Sequence, residues 1–201
     1  KEPNKKIIES ILIAGIAKDY GAKKIILIAT YFPSARQDTH FESYDSFSSK
    51  YILQLFSNFD KVIAIDPHLH RIKSLNQLAK NASQITSAKL IADYIKNNFK
   101  ENFTIIGPDE ESQRWGKKIA KILNKKAVIL SKQRFSAEKV KIQEKKFSGN
   151  VIIIDDIIST GHTILETIKI AEAHGAKKII CIGIHAILLG NSAKLITKHA
   201  E

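Results

Sequence analysis

The run Val151-Ile-Ile-Ile-Asp155-Asp156-Ile-Ile-Ser159-Thr160-Gly161-His162-Thr163 constrains the fold more than any other stretch of the chain. Four consecutive β-branched residues without polar alternation suit a strand covered on both faces, as in a parallel sheet. The two aspartates then arrive at the strand's carboxyl end. Ser159–Thr163 adds hydroxyls, a glycine and backbone N–H groups just before the helical periodicity of Ile164, Leu165, Ile168, Ile170 and Ala171. Strand, anion-binding turn and helix is the order these residues predict, with a phosphate at the helix N-terminus. A ribose 5-phosphate carries both a diol for the carboxylates and a phosphate for the turn. The plainer reading is a buried strand ending in two solvated aspartates that cap a helix.

Other stretches carry candidate chemistry. They are Tyr31-Phe32-Pro33-Ser34-Ala35-Arg36-Gln37-Asp38, Asp66-Pro67-His68-Leu69-His70-Arg71, Gly107-Pro108-Asp109 and Lys132-Gln133-Arg134. Each follows a run expected to be a strand: Lys24–Ala29, Lys61–Ile65, Phe103–Ile106 and Ala127–Leu130. Ligands of open α/β sheets lie beyond the carboxyl ends of the strands, so this shared placement is itself an argument for one site chemistry. Helices are expected over 6–20, Ser46–Phe59, Ala88–Asn97 and Glu111–Leu123, alternating with the strands as βαβ units require. Glu138–Gln143 reads as a short edge strand. Asn76–Ser83 is polar and aperiodic, which suggests a boundary there and halves of 1–80 and 81–201. The phrase Gly21-Ala-Lys-Lys-Ile-Ile-Leu-Ile-Ala29 returns as Gly175-Ala-Lys-Lys-Ile-Ile-Cys-Ile-Gly183, as two related halves or chance would each produce.

Together these stretches resemble the ribose-phosphate pyrophosphokinases, the phosphoribosyl-pyrophosphate (PRPP) synthetases, with a loop shared by type I phosphoribosyltransferases. The resemblance implies an α/β fold of two related phosphoribosyltransferase-like parallel-sheet halves, each partly incomplete here. It implies Mg2+-dependent transfer of pyrophosphate from ATP to ribose 5-phosphate by a homo-oligomer in nucleotide biosynthesis. By the same resemblance Asp155, Asp156, Ser159, Thr160, Gly161, His162 and Thr163 hold ribose 5-phosphate or PRPP. Arg36, Gln37 and Asp38 contact ATP, His68 and Asp109 bind the metal, and Lys132 and Arg134 form the catalytic basic pair. Alternatives are a phosphoribosyltransferase and a non-catalytic associated subunit.

Some positions depart from the family pattern. Ser159 stands where many relatives are acidic and His162 where glycine is usual. Thr39–Asp45 lacks the basic residues of the family's phosphate- and ADP-responsive regulatory site. Family members are longer, so the chain is expected to be truncated at both ends, and to bind ribose 5-phosphate better than ATP because the adenine-holding segment is absent.

Composition narrows the partners. The 201 residues carry a net charge of +12, but as scattered Lys-Lys pairs without aromatic interleaving, so phosphate-bearing small molecules are expected and nucleic acid is not. No apolar run is long enough to span a bilayer, which predicts no membrane partner and a cytoplasmic protein. The single cysteine, Cys181, sits in an apolar run and reads as packing.

Overall fold

The computed structural model describes residues 2–40, 44, 46–130 and 149–201. The chain divides into two compact units, Lys1–Thr86 and Ser87–Glu201. In the first, α1 (Pro3–Asp19) leads to β1 (Ile26–Ala29), α2 (Ser48–Leu55), β2 (Lys61–Ile65) and β3 (Ala82–Ile85). The three strands lie in the order β1-β2-β3, all parallel. The expected boundary at 76–83 is therefore displaced: Ala82–Ile85 pairs with Val62–Ile65 and stays in the first unit. Its polar Ser83 and Gln84 hid it, because a strand with one free edge needs little apolar sequence.

Helix α1 buries Ile7 and Ala14 in the core formed with Phe32, Leu53, Phe56, Val62 and Leu75. It leaves Ile8, Leu12, Ile13 and Ile16 exposed. Its end shows what the repeated phrase encodes. Gly21 and Gly175 both adopt left-handed φ, +89° and +85°, just past helix ends, where a side chain would be strained.

In the second unit, α3 (Ala88–Asn98), β4 (Phe103–Gly107), α4 (Gln113–Ile122), β5 (Ala127–Ile129), β6 (Gly149–Ile158), α5 (His162–Ala173), β7 (Ala176–Ala186) and α6 (Ser192–Ile196) follow in turn. Its parallel strands are ordered β5-β4-β6-β7. Val151, Ile152, Ile153 and Ile154 are all fully buried, as the apolar run predicts. Val151 and Ile153 pack with α5 and α6, whereas Ile152 and Ile154 pack with α3 and α4. Each such side chain contributes about 1.5–3 kcal/mol by leaving water.

This two-sided cover has a topological consequence. After β4 the chain crosses one face to reach β5; after β6 it crosses the other face to reach β7. The neighbours β4 and β6 are thus the point where the winding reverses, the place beyond whose carboxyl ends open α/β sheets take their ligands.

Candidate active site

Strand β6 does not stop at Ile154. Its pairing with β4 ends at Ile153↔Ile106, but its pairing with β7 continues to Ile158↔Ala186. Asp155 and Asp156 therefore lie inside the strand and are buried, 6 % and 2 % exposed, instead of standing at an open end. The neighbouring ladder of β7 keeps the backbone extended there. Successive strand residues face opposite sides, so Asp155 shares the α5 face and Asp156 the face of α3 and α4. The Asp156 N–H donates to Asp155 Oδ1 at 3.0 Å.

Gly161 opens α5. It holds φ +79°, and a Cβ there would lie 3.2 Å from both Ile196 Cδ1 and Ser192 Cβ. Its carbonyl accepts the Leu165 N–H at 2.9 Å, and no side-chain cap hydrogen bond is made at this helix start among the described residues. Those groups meet an anion's needs. Thr160 is exposed, Ser159 and Thr163 half-buried. The side chain of His162 points to Glu166, Nε2 to Oε1 3.0 Å, so only its backbone N–H remains in the turn. The loop after β7 braces the turn, with Leu189 N–H donating to the Ser159 carbonyl at 2.9 Å.

On the other strand of the switch point, Gly107 ends β4. A Cβ there would meet Ile129 Cδ1 at 2.8 Å, so glycine allows the close packing of β5 on this strand end. Asp109 follows. Its Oδ1 accepts the N–H groups of Glu111 (3.0 Å) and Ser112 (2.9 Å), fastening the entry to α4. That role was not anticipated from a metal-ligand reading.

In the first unit, Arg36 and Gln37 are exposed on the turn after β1. Asp38, expected to contact nucleotide, is fully buried; its Oδ2 accepts the N–H groups of His70, Arg71 and Ile72 at 2.8, 2.7 and 3.0 Å. A carboxylate so enclosed fastens two loops together and presents nothing to a ligand. His68 is buried, and its ring meets that of His70 edge-on at 4.7 Å. Lys132 and Arg134, and the expected edge strand Glu138–Gln143, lie outside the described residues.

Two further residues flank the site. His185, buried on β7 opposite Ile157, shares the face of Asp155 at the carboxyl end of the sheet. A lone polar residue in an apolar strand was its only signal. Cys181, opposite Ile153, has its thiol pushed up from the ordinary 9.0 to about 12, first by burial and then by the charge of Asp155. A raised thiol pKa means the folded state keeps its proton where the unfolded chain has lost it. Stability should therefore fall as pH rises from about 9 towards 12. Urea titrations should show a shallower fall in Cys181→Ala over that window.

Residues 74–198 match the phosphoribosyl transferase domain family, and residues 1–60 match the N-terminal domain of ribose phosphate pyrophosphokinase. The chain belongs to the ribose-phosphate pyrophosphokinase family. Ribose-phosphate pyrophosphokinase 1 of Archaeoglobus fulgidus is 31 % identical over 190 residues, covering 92 % of this chain and 65 % of the relative. The ribose-phosphate pyrophosphokinase of Saccharolobus solfataricus is 32 % identical over 196 residues, covering 94 % and 66 %. The chain thus spans just under two thirds of the length of these relatives. The phosphoribosylpyrophosphate synthetase of Mycobacterium smegmatis superposes with a TM-score of 0.83 at 22 % identity, over 98 % of this chain and 65 % of that one. As a family member, the chain has the mixed α/β, parallel-sheet architecture expected of it. No helix among the described residues is long and apolar enough to cross a membrane.

Proposed function

We propose that this chain contributes to a Mg2+-dependent ribose-phosphate pyrophosphokinase that makes PRPP and AMP from ATP and ribose 5-phosphate. The observation that carries this reading is the start of α5, without a side-chain cap among the described residues and with Gly161 in the left-handed region, shortly after the paired Asp155 and Asp156 at the β4–β6 switch point. The turn's N–H groups would take the 5-phosphate, and the carboxylates would accept from the sugar hydroxyls. In the reaction a sugar hydroxyl oxygen bonds to the β-phosphorus of ATP, the bond from that phosphorus to the bridging oxygen of AMP breaks, and the hydroxyl proton passes to solvent. Arg36 and Gln37, exposed on their turn, are suited to a nucleotide phosphate, since a guanidinium can grip it bidentately. Lys132 and Arg134 would cover the transferring phosphates.

An imidazole and a carboxylate oxygen form a donor set that accepts Mg2+ or Mn2+ when waters and substrate phosphates complete the shell. His68 and Asp109 would each be a candidate ligand for such an ion, which supplies charge neutralisation on the phosphates. A cytoplasmic homo-oligomer fits the same reading.

An AMP-release assay with ATP, ribose 5-phosphate and Mg2+ tests it. AMP formation that requires ribose 5-phosphate supports the proposal; PRPP consumption that instead requires a nucleobase would favour a phosphoribosyltransferase. His68→Ala should raise the Mg2+ concentration for half-maximal rate by about tenfold or more, the scale on which a lost metal contact acts. An unchanged requirement would remove His68 from the metal site.

A further inference from the structure

The turn after β1 and the loop after β2 are separate in sequence, and Asp38 ties them together. Ser34 turns the chain at φ +56°, and the Gln37 N–H closes back on the Ser34 carbonyl at 3.0 Å. Ser49, at the start of α2, holds the Gln37 carbonyl with both its N–H (3.1 Å) and its hydroxyl (2.8 Å). The next residue, Asp38, is fully buried and receives three successive N–H groups, those of His70, Arg71 and Ile72, on Oδ2. Such a run of amides converging on one anion is a backbone nest filled by the protein's own carboxylate. At the other end of that loop, Asp66 leaves β2 at φ +38° immediately before Pro67. Backbone strain of this kind persists only where the surroundings over-determine it.

We infer that Asp38 is a positioning residue: it makes the Arg36–Gln37 turn and the His68–His70 loop one rigid body, so that His68 is held ready for its cation in fixed relation to the nucleotide-facing turn. The inference rests on the metal role proposed for His68. A carboxylate that merely filled a cavity would need none of three consecutive amides aimed at one oxygen. Its second oxygen, Oδ1, is buried without a partner among the described residues. That cost is borne to keep the anion inside, where an amide side chain could not satisfy three donors with one acceptor oxygen as strongly.

The test uses amide hydrogen exchange and Mn2+ titration on the intact chain. In wild type, the His70, Arg71 and Ile72 amides should be protected although they lie outside helices and strands, and Mn2+ should broaden the His68 ring resonances. Asp38→Asn should lose protection at those three amides by about tenfold or more, with β2 unchanged. Its Mn2+ midpoint at His68 should rise roughly ten- to a hundredfold, as for other residues that orient a metal ligand. Ser49→Ala, which loosens the same turn without touching Asp38, should leave the three amides protected. Unprotected amides in wild type overturn the inference without any variant having to fold. Lost protection in Asp38→Asn with an unchanged Mn2+ midpoint also overturns it, since the carboxylate would then hold the loop without positioning His68. Absence of Mn2+ broadening at His68 in wild type rejects the metal reading itself and the inference with it; a failure confined to the variants rejects the inference alone.

Discussion

Asp155→Ala and Asp156→Ala should each weaken ribose 5-phosphate binding by roughly ten- to a hundredfold while changing inorganic phosphate binding by less than about threefold. A hydrogen bond to a charged group contributes about 1.5–3 kcal/mol, which converts to that range of affinity. In the proposed function the carboxylates serve the sugar diol and the metal, whereas free phosphate needs only the amides of the turn. Both carboxylates are buried, 6 % and 2 % exposed, in a strand whose other core positions are aliphatic, so stability is measured beside affinity to tell a folding defect from a lost ligand contact. Calorimetric titration with both ligands, alongside urea unfolding, checks all three quantities. Equal losses for ribose 5-phosphate and phosphate would show that the aspartates shape the turn instead of reading the sugar.

Gly161→Val should reduce both stability and phosphate affinity. The residue sits at φ +79°, where a β-branched side chain costs about 1–2 kcal/mol from the backbone alone. Contact adds to this, because the first atom of any side chain would meet Ile196 and Ser192 at 3.2 Å. Moving α6 away to relieve that contact disturbs Ile196, which packs in the core beside Ile164 and Ile168. A loss of about 2–3 kcal/mol by urea unfolding is expected, with Gly161→Ala intermediate. The sulfate or phosphate affinity of the turn should fall in the same order. A valine variant with wild-type stability and affinity would mean that α5 can begin without the left-handed glycine.

The strand–turn–helix at 151–173 was readable because every local preference agrees there. The apolar run demands cover on both faces, glycine permits the left-handed start of α5, and the periodic aliphatic residues give that helix one buried side. Parallel strands, and the placement of Arg36, His68 and Asp109 after three of them, followed from the same reasoning. What no local pattern could report was partnership. Strand β6 runs on through Asp155 and Asp156 because β7 accompanies it to Ala186, which buries the carboxylates and sets them on opposite faces. Strand β3 exists because β2 offers it an edge, although its own residues are polar. Asp109 fastens the entry to α4 through amides two and three residues on, and Asp38 does the same for a loop more than thirty residues away in sequence. The chain by itself determined which residues carry charge, hydroxyls and freedom of φ. Only the tertiary structure decided which backbone amides those charges would meet, because a carboxylate's choice between a ligand and the protein's own N–H groups depends on neighbours brought up by folding.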